Sequence, residues 1–203
     1  NYTYAEATLT QELPAWLGSH VRALNFFGCA PRVLVPDNLK SGVKKSCRYE
    51  PDLNPAYNDL ASHYKAAVIP ARAYKPRDKA KVEAGVLVAQ RWIIAALRHR
   101  RFYSLAELNK AIRELLIKLN ARPMRKIKKS RLELFEAMDK PAAQSLPSRP
   151  YEFADWKKAT VNIDYHIEMD KHYYSVPYRL VHERLDVRLS AQTVEVFHKC
   201  ARV

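Results

Sequence analysis

The first part of the chain has the apolar spacing of a strand followed by a helix. Residues 2–8 look like a strand, with Tyr2, Tyr4 and Ala7 beside Thr3 and Thr8. Apolar residues then recur every three or four positions, which predicts a helix that Thr10 caps and that Gly28 ends, since glycine tolerates the positive φ of a helix C-terminus. This order of elements indicates an α/β unit.

Two short apolar runs, at 33–35 and 66–69, predict two further strands, each followed by a proline. Because their apolar residues are continuous rather than alternating, we expect both strands to be buried on two faces of a sheet. Between them, the polar segment 39–52 predicts a loop or a short helix, and the segment 55–64 predicts a helix.

Helical periodicity dominates the middle of the chain. It predicts a long helix over about 78–99 and a second helix that begins at Ser104. Ser104 and Glu107 have the Ser-x-x-Glu spacing of a capping box, and Ser130 and Glu133 repeat that spacing at the start of a third helix.

The pattern changes after the proline-rich stretch 141–150, which predicts a linker. Apolar and polar residues then alternate in short runs between 161 and 196, which predicts strands with one buried face. We expect a separate small β domain over 151–203, folded as an antiparallel barrel. Residues 198–203 read as the middle of a strand, so we expect the chain to be a piece of a longer protein.

The net charge of +14 comes from one block of the sequence. Residues 1–71 carry a balance of +1, and residues 132–203 carry a balance of −1. Residues 72–131 hold 18 basic and four acidic side chains, which leaves +14. A block of this kind concentrates phosphates and steers them towards itself, so a polyanion is the expected partner.

Other functional classes find little support in the sequence. No run approaches the roughly 18–20 apolar residues of a membrane span, so no membrane partner is expected. The chain lacks G-x-S-x-G, P-loop and dinucleotide-binding motifs, and its seven histidines form no H-x₃-H pair. The three cysteines lack zinc-ligand spacing and are odd in number, which indicates a reducing, cytoplasmic location.

Two acidic residues stand out by their positions. Asp37 directly follows an apolar strand, where sites of open α/β sheets form, and Glu83 lies in the most basic part of the chain. A carboxylate repels phosphate unless it holds a cation that the phosphate also contacts, as in two-metal phosphoryl transfer. Lys79 and Gln90 share a helical face with Glu83. The spacing is equally consistent with a turn acid at Asp37 and an ion pair between Glu83 and Lys79.

At these residues the chain resembles the IstA-type transposases of bacterial insertion sequences, which are DDE integrases. The resemblance rests on 33–40, with its Val-Pro-Asp-Asn strand end, and on 69–83, with its Pro-Arg-Asp-Lys-Ala-Lys-Val-Glu helix start. Segments 108–123, 130–131 and 173–177 fit the same family, so the resemblance covers nearly the whole chain. The combination of the first two motifs is specific, whereas either motif alone is weak.

The resemblance implies an α/β fold of the RNase H-like class, a mixed sheet with helices on both faces. Residues 1–103 would form the catalytic core without its first strands, residues 104–150 a basic helical connector, and residues 151–203 a small all-β barrel, incomplete at its C-terminus. We expect this nearly neutral barrel to contact protein at least as much as DNA. Its candidates for local DNA contacts are Lys157, Lys158, Arg179, Arg184 and Arg188.

By resemblance, Asp37 is the second and Glu83 the third carboxylate of the catalytic triad. Together they would bind Mg²⁺, or Mn²⁺ as a substitute, and drive attack of water and then of a transposon 3′-OH on DNA phosphodiesters. The first aspartate of the family comes from a preceding strand, and residues 1–36 contain no Asp. We therefore expect that aspartate to lie upstream, and the chain alone to be inactive.

The resemblance also implies double-stranded DNA as substrate, both transposon ends and target. It further implies a homo-oligomeric assembly, an AAA+ ATPase helper of the IstB type, and a cytoplasmic, nucleoid-associated location. The residues expected to bind DNA lie around Glu83 and in the tract before the third helix. They are Arg72, Lys75, Arg77, Lys79, Lys81, Gln90, Arg122, Arg125, Lys126, Lys128, Lys129 and Arg131.

Two non-enzymatic interpretations stay open from the sequence. A DNA-binding or assembly module that keeps the RNase H-like fold without catalysis explains the basic block but not Glu83 within it. A regulatory piece explains why residues 1–36 contain no Asp. A strand bearing Asp within about 10–30 residues before Asn1 would favour the enzyme.

Overall fold

The computed structural model describes residues 2–36, 43–45, 52–69 and 84–203. The chain divides into two compact units, residues 1–151 and residues 152–203. The first unit is mixed α/β, and the second is built from antiparallel strands with a short 3₁₀ turn at Tyr178–Leu180. The predicted site residues Asp37 and Glu83 lie outside the described residues.

Helices make up most of the described part of the first unit. They are α1 (Leu13–Phe27), α2 (Pro55–His63), α3 (84–97 as described), α4 (Leu105–Ala121) and α5 (131–142). π-Helical turns interrupt α3 at Gln90–Ile94 and α5 at Phe135–Asp139. The strands are β1 (Val33–Leu34), β2 (Val43–Lys45), β3 (Asp52–Leu53) and β4 (Ala67–Val68).

Helix α1 begins later than the sequence predicted and ends where it was predicted to end. Its N-cap is Glu12, whose side chain makes no capping hydrogen bond, and Pro14 occupies the first turn. Proline suits that turn because its ring fixes a helical φ and because the first N–H groups have no intrahelical acceptor. The predicted cap at Thr10 was therefore wrong. Gly28 ends the helix with a φ of 68°, as expected.

Residues 2–8 do not form a strand, although their tyrosines and threonines predicted one. Two side-chain amides of α4 hold the segment instead. Asn120 accepts a hydrogen bond from the Thr3 N–H at 3.1 Å and donates one to the Thr3 carbonyl at 2.8 Å. Asn109 makes the same two bonds with Ala7, at 2.8 and 3.0 Å. Amides spaced along one helix thus replace the hydrogen-bond ladder of a neighbouring strand.

An aromatic cluster fixes the beginning of the same segment. Tyr2 stacks on Phe26 and on Phe135, with ring centroids 5.4 and 4.6 Å apart, and Tyr4 lies 5.2 Å from Phe26. Such pairs contribute about 0.5–1.5 kcal/mol beyond the area that they bury. The N-terminal segment therefore ties α1, α4 and α5 together.

Strands β1 and β4 form a parallel pair, with Val33 beside Ala67 and Leu34 beside Val68. Within the described residues this sheet has two strands. Val33 and Ile69 are 41% and 56% exposed. The expectation of strands buried on both faces is wrong for this part of the chain, because no described element covers the second face.

Strands β2 and β3 lie in the segment 39–52, for which the sequence predicted a loop or a short helix, and at Leu53 just after it. They pair antiparallel, Val43 with Leu53 and Lys45 with Asp52, with an irregular register between the two pairs. The prediction was wrong for the described part of this segment. The sequence of this segment shows no alternation of apolar and polar residues that would predict a strand. The two strands form because their backbones pair with each other, and local sequence patterns do not show such pairing.

A small core lies between α3 and α4. It consists of Ile93, Leu97, Ala111, Ile112 and Leu116, with Phe102 and the alanines of residues 5–7 packed against it. The π-helical turn rotates the two ends of α3 relative to each other, because it places an extra residue in one turn. Val86, seven residues before the buried Ile93, is therefore 51% exposed, and the predicted apolar face of this helix is interrupted.

The two predicted capping boxes have different outcomes. Ser130 and Glu133 form the complete box: the Glu133 N–H donates to Ser130 Oγ at 3.1 Å, and the Ser130 N–H donates to the Glu133 carboxylate at 2.6 Å. Hydrogen bonding from Ser130 to the carboxylate, first from its backbone N–H and then from its side chain, lowers the pKa of Glu133. Ser104 accepts from the Glu107 N–H, but the Glu107 carboxylate accepts from the Tyr103 N–H and leaves that box half formed.

The proline-rich stretch 141–150 is packed within the first unit. Gln144 forms an antiparallel bridge with Ala30, through two N···O distances of 2.8 Å. The hydroxyl of Tyr151, just beyond the stretch, lies 3.2 Å from the Ala56 carbonyl and 3.0 Å from the Asp59 carboxylate. Asp59 thus takes part in a packing contact.

The second unit contains an open antiparallel sheet and a separate hairpin, rather than the closed barrel that the sequence predicted. Its strands are β5 (Ala154–Thr160), β6 (His166–Met169), β7 (His172–Ser175), β8 (Arg184–Ser190), β9 (Val194–His198) and β10 (Ala201–Arg202). The sheet order is β10-β9-β8-β5, and β6 pairs with β7 alone. No barrel closes because β5 and β10 form the two edges and do not pair with each other.

One core joins this sheet to the hairpin. Val161, Ile167, Leu185 and Val187 are fully buried within it. The alternation of Val161, Ile163 and Tyr165 predicted a strand, but it falls in a turn, where Ile163 is 78% exposed. Strand β5 was missed because its sequence, Ala-Asp-Trp-Lys-Lys-Ala-Thr, lacks that alternation.

Candidate nucleic-acid interface

Residues 84–131, here called the basic segment, hold 13 basic and two acidic side chains. Every basic side chain in it except Arg131 is exposed. None of these exposed groups forms an ion pair with a residue that the structure describes. The described acids therefore do not neutralise the charge of this segment.

Residues 122–129, here called the basic loop, connect α4 to α5 and carry five exposed basic side chains. The Met124 N–H donates to the Lys129 carbonyl at 2.9 Å, and the Lys128 N–H donates to the Met124 carbonyl at 2.8 Å. Lys128 has a φ of 59°, in the left-handed region. These bonds bring Arg125, Lys126, Lys128 and Lys129 together on one tight turn.

The base of the basic loop is anchored in the first unit. Ser130 is 5% exposed and provides the N-cap of α5. Arg131 is half-buried, and its Nη1 donates to the Leu119 carbonyl at 3.3 Å. Arg131, predicted to bind DNA, therefore has a visible structural contact at the end of α4, whereas the four basic residues of the turn extend beyond it.

Arg122 reaches a neighbour that the sequence did not suggest. Its guanidinium lies 4.1 Å from the centre of the Trp92 ring, within cation–π range. Trp92 is 46% exposed, so an aromatic surface accompanies the charge. The contact joins residues 30 positions apart, so no local spacing could have found it.

The remaining predicted residues divide between described and undescribed parts of the chain. Gln90 is exposed and begins the π-helical turn, where its carbonyl accepts from the Ala95 N–H. The other predicted residues lie outside the described residues: Asp37, Arg72, Lys75, Arg77, Lys79, Lys81 and Glu83.

A second basic cluster follows α3 and was not among the predicted residues. Arg98, Arg100 and Arg101 are exposed, and the Arg100 guanidinium lies 5.0 Å from the centre of the Phe102 ring. The adjacent Tyr103 is 90% exposed. The Arg-His-Arg-Arg run in the sequence was the available signal, because its charge density matches that of the predicted tract.

Charged residues of the second unit behave differently. Lys157 lies 2.6 Å from Asp170, and Lys158 lies 3.7 Å from Asp186. The hydrogen bond to Asp170 raises the pKa of Lys157. Lys157 and Lys158, considered as local DNA contacts, are therefore paired with carboxylates of their own unit.

Glu6 is a partly buried acid whose partners explain its charge. Burial alone would raise its pKa, but hydrogen bonds from Arg22, Ser19 and Tyr4 outweigh burial and lower it to about 2. The Arg22–Glu6 distance is 2.6 Å. The same arrangement raises the pKa of Tyr4 to about 12, first through burial and then through its hydrogen bond to Glu6. Glu6 is thus an ionised structural acid.

The described residues contain neither a metal cluster nor a membrane span. No group of three or more His, Cys, Asp or Glu side chains in that part of the chain could hold a metal ion. No described helix is both long enough and apolar enough to cross a membrane.

The C-terminal part of the chain is similar to a known protein family. Residues 146–203 match the family "Mu transposase, C-terminal domain". This match covers β5 to β10 and the segment that leads into them.

Curated proteins match the full length of the chain. It is 51% identical over 203 residues to "Putative transposase y4bL/y4kJ/y4tB" of Sinorhizobium fredii, and 49% identical over 203 residues to "Putative transposase for insertion sequence IS408" of Burkholderia multivorans. In both cases the alignment covers 100% of this chain and 39% of the relative. The chain therefore spans about two fifths of the length of these relatives.

A more distant relative and a solved structure extend the comparison. Over 173 residues the chain is 28% identical to "Transposase for insertion sequence element IS21" of Pseudomonas aeruginosa, covering 85% of this chain and 44% of the relative. It also resembles a chain of the cryo-EM structure of the simian T-cell lymphotropic virus intasome in complex with PP2A regulatory subunit B56 gamma. That match has a TM-score of 0.51 and 10% identity and covers 96% of this chain and 65% of the other. This likeness concerns the fold alone.

Proposed function

The chain is homologous along its whole length to part of the transposases of bacterial insertion sequences, and we propose that it is the DNA-handling and catalytic part of such a transposase. In this proposal the full protein cleaves DNA and joins a transposon 3′-OH to target DNA. Residues of the first unit would belong to an RNase H-like core of the DDE class. A non-catalytic DNA-binding module is the outcome that the experiment below separates from this one.

The uncompensated charge of the basic segment is the observation that carries the proposal. Twelve of its 13 basic side chains are exposed, and none of the twelve pairs with a described carboxylate. Displacing counterions from DNA favours binding by such a surface, at every phosphate that a Lys or Arg neutralises. Arg125, Lys126, Lys128 and Lys129 would hold the sugar–phosphate backbone and so position the duplex.

Asp37 and Glu83 would hold the divalent ions in this proposal. Their donor chemistry fits Mg²⁺, with Mn²⁺ as a substitute, because carboxylate oxygens are the hard ligands that these ions take. In the described part of the chain, no other group of three or more candidate ligands competes with them. When bound, the ions would supply the positive charge that activates the attacking oxygen and stabilises the leaving one.

The assembly also belongs to the proposal. We infer a homo-oligomer that holds two transposon ends together, with an IstB-type AAA+ ATPase as helper and the cytoplasm, near the nucleoid, as the place of action. The nearly neutral second unit would serve that assembly through protein contacts, since its lysines at 157 and 158 are already paired with acids.

The test uses the full-length transposase with Mg²⁺ and labelled transposon ends. Asp37→Asn and Glu83→Gln should each abolish strand transfer while leaving end binding intact, because each change removes one anionic ligand and keeps the shape of the side chain. Glu114→Gln is a matched control, since Glu114 is an exposed acid on α4 within the same basic segment. It should join DNA at the wild-type rate.

The outcomes separate the two candidate functions. Loss of joining with retained end binding supports the enzyme, and partial recovery with Mn²⁺ supports a role as metal ligand. Wild-type joining by both variants would overturn the assignment of Asp37 and Glu83. If the wild-type transposase itself joins no DNA, the protein is the non-catalytic module.

A further inference from the structure

Ile127 lies at the tip of the basic loop, where the surface is otherwise charged. It is 54% exposed, and its neighbours on both sides are Lys126 and Lys128. Loop tips are usually polar, because exposed apolar side chains gain nothing from the fold. Isoleucine is also β-branched and stiff, so it presents a fixed apolar shape to solvent.

The loop holds this side chain in a defined place. Hydrogen bonds between Met124 and Lys129 and between Lys128 and Met124 close the turn, at 2.9 and 2.8 Å. Lys128 adopts a φ of 59°, which is unfavourable for a lysine and is maintained by the turn around it. The buried Ser130 cap fixes the turn to α5. Ile127 therefore stands on an anchored projection.

The surrounding charge decides which partner suits such a projection. Arg125 and Lys126 precede the tip and Lys128 and Lys129 follow it, so cations lie on both sides of the apolar group. None of the four is paired with a described acid. A partner must therefore offer anions on two sides of an apolar gap, which is the chemistry of a duplex groove: two phosphate backbones flanking stacked bases.

We propose that the basic loop enters the minor groove of duplex DNA and inserts Ile127 between two base pairs, with the flanking cations on the two phosphate backbones. This inference rests on the proposed function in DNA transposition. Apolar side chains used in this way unstack a base step and kink the duplex. Insertion would bend and locally unwind DNA at the point where the basic segment holds it.

The experiment measures binding and DNA topology with the 203-residue chain. Affinity is measured by anisotropy of a fluorescein-labelled duplex, and unwinding by relaxing a closed circular plasmid with topoisomerase I in the presence of the chain. Ile127→Ala and Ile127→Ser should lose most of the linking-number change and weaken binding by about three- to tenfold, because the inserted apolar surface is removed. Ile127→Phe should keep the change.

Matched variants separate insertion from charge and from folding. Ile117→Ala removes an isoleucine of similar exposure, 60%, from α4 and should leave both readouts unchanged. Ile127→Lys adds a cation, so it should bind at least as tightly as the wild type and yet lose the linking-number change. Equal thermal unfolding of all variants shows that the fold is intact, as expected for exposed positions.

The possible outcomes test the insertion of Ile127 and the proposed function separately. A linking-number change that is the same for the wild type, Ile127→Ala and Ile127→Lys would overturn insertion while leaving DNA binding in place. Insertion would also be overturned if Ile127→Ala alters self-association of the chain and not the plasmid, because the tip would then be a protein contact. Failure of the wild-type chain to bind duplex at low salt would instead count against the proposed function.

Discussion

The basic segment and the second unit use charged residues in opposite ways. The second unit has eight basic and eight acidic side chains, and its strand register places several opposite charges side by side. Lys158 lies directly across from Asp186 on β5 and β8, and Arg188 lies across from Glu195 on β8 and β9. The Arg188–Glu195 ion pair is 2.9 Å long. The basic segment has no such pairing among its described residues.

This difference shows that the number of charged residues in a segment does not by itself give the charge that its surface presents to a ligand. Oppositely charged cross-strand neighbours stabilise a sheet by about 0.2–1 kcal/mol each and neutralise each other's field. In the basic loop, by contrast, a turn gathers like charges that no acid in the described part of the chain compensates. We therefore expect DNA binding to depend on the basic segment and stability of the second unit to depend on its core.

The largest effect should follow from neutralising the basic loop. Changing Arg125, Lys126, Lys128 and Lys129 to Gln should lower the salt dependence of DNA binding by about 0.9 for each phosphate that the protein no longer neutralises, up to about 3.6 in the slope of log K against log salt. The measurement is duplex anisotropy across a salt series with the 203-residue chain.

A matched set of four basic residues in the second unit tests the comparison directly. Changing Lys157, Lys158, Lys199 and Arg202 to Gln removes the same charge, but at least three of these residues are paired with acids. This variant should retain the wild-type slope. Equal decreases in slope for both sets would break the comparison and make net charge alone the determinant of binding.

The next largest effect concerns the core of the second unit. Leu185→Ala should destabilise this unit by about 2–5 kcal/mol, because Leu185 is fully buried in the core shared by the sheet and the hairpin. Hydrogen exchange of the β5 and β8 amides measures the change. Lys157→Ala is the control and should leave the exchange of these amides close to that of the wild type, because exposed ion pairs contribute little to stability. Similar costs for both variants would contradict the view that the core, and not the charges, stabilises the unit.

A smaller effect is expected where α4 holds the N-terminal segment. Asn120→Ala removes two hydrogen bonds to Thr3 from a side chain that is 2% exposed, and it should cost about 2 kcal/mol. Denaturant unfolding measures the cost. Gln90→Ala, at an exposed position, is the control and should be neutral. A neutral Asn120→Ala would mean that the aromatic cluster alone positions residues 2–8.

The smallest effect is a pH dependence at Glu6. Its pKa in the fold is about 2, against an ordinary value of 4.5. A depressed acid contributes stability that is fully present above its unfolded pKa and is lost as the pH falls towards the folded pKa. The thermal midpoint of the first unit should therefore fall between pH 4.5 and about 2.

Glu6→Gln should make this acid limb shallower and lower the midpoint near neutral pH, because Arg22 then has no carboxylate partner at this position. Glu12→Gln changes an exposed acid of the same segment and should keep the wild-type acid limb. If the thermal midpoint of Glu6→Gln falls as steeply with decreasing pH as that of the wild type, the Arg22–Glu6 ion pair does not stabilise the first unit.

Two local signals in the sequence were dependable, although the predicted cap at Thr10 was not. Gly28 ended α1 because glycine adopts a φ of 68° without strain, and Ser130 capped α5 because its partner Glu133 is three residues away. The predicted basic tract is also exposed, because lysines and arginines without partners stay in water. Arg131 was predicted to belong to this exposed tract. Its hydrogen bond to the Leu119 carbonyl, which holds it at the end of α4, could not be seen in the sequence.

Signals that depend on distant partners were less dependable. Residue composition predicted a strand at 2–8. A strand needs a neighbouring backbone, however, and the side chains of Asn109 and Asn120 supply the hydrogen bonds instead. The paired strands β2 and β3 and the strand β5 were missed because their sequences lack an alternation of apolar and polar residues. These strands form through pairing with another strand. The roles of Asp37 and Glu83 stay predictions, because both residues lie outside the described part of the chain.

The sequence by itself determined the charge block, the end of α1 at Gly28, the Ser130 cap of α5 and the similarity to insertion-sequence transposases, because each of these depends on residue identity or on spacing within a few positions. The tertiary structure decided which charges are free, by setting strand register in the second unit and loop closure in the first. It also closed residues 124–129 into a turn that leaves Ile127 exposed, between cations that are its neighbours in the sequence. A one-dimensional pattern does not contain that turn, since it depends on the backbone hydrogen bonds of Met124 with Lys128 and Lys129.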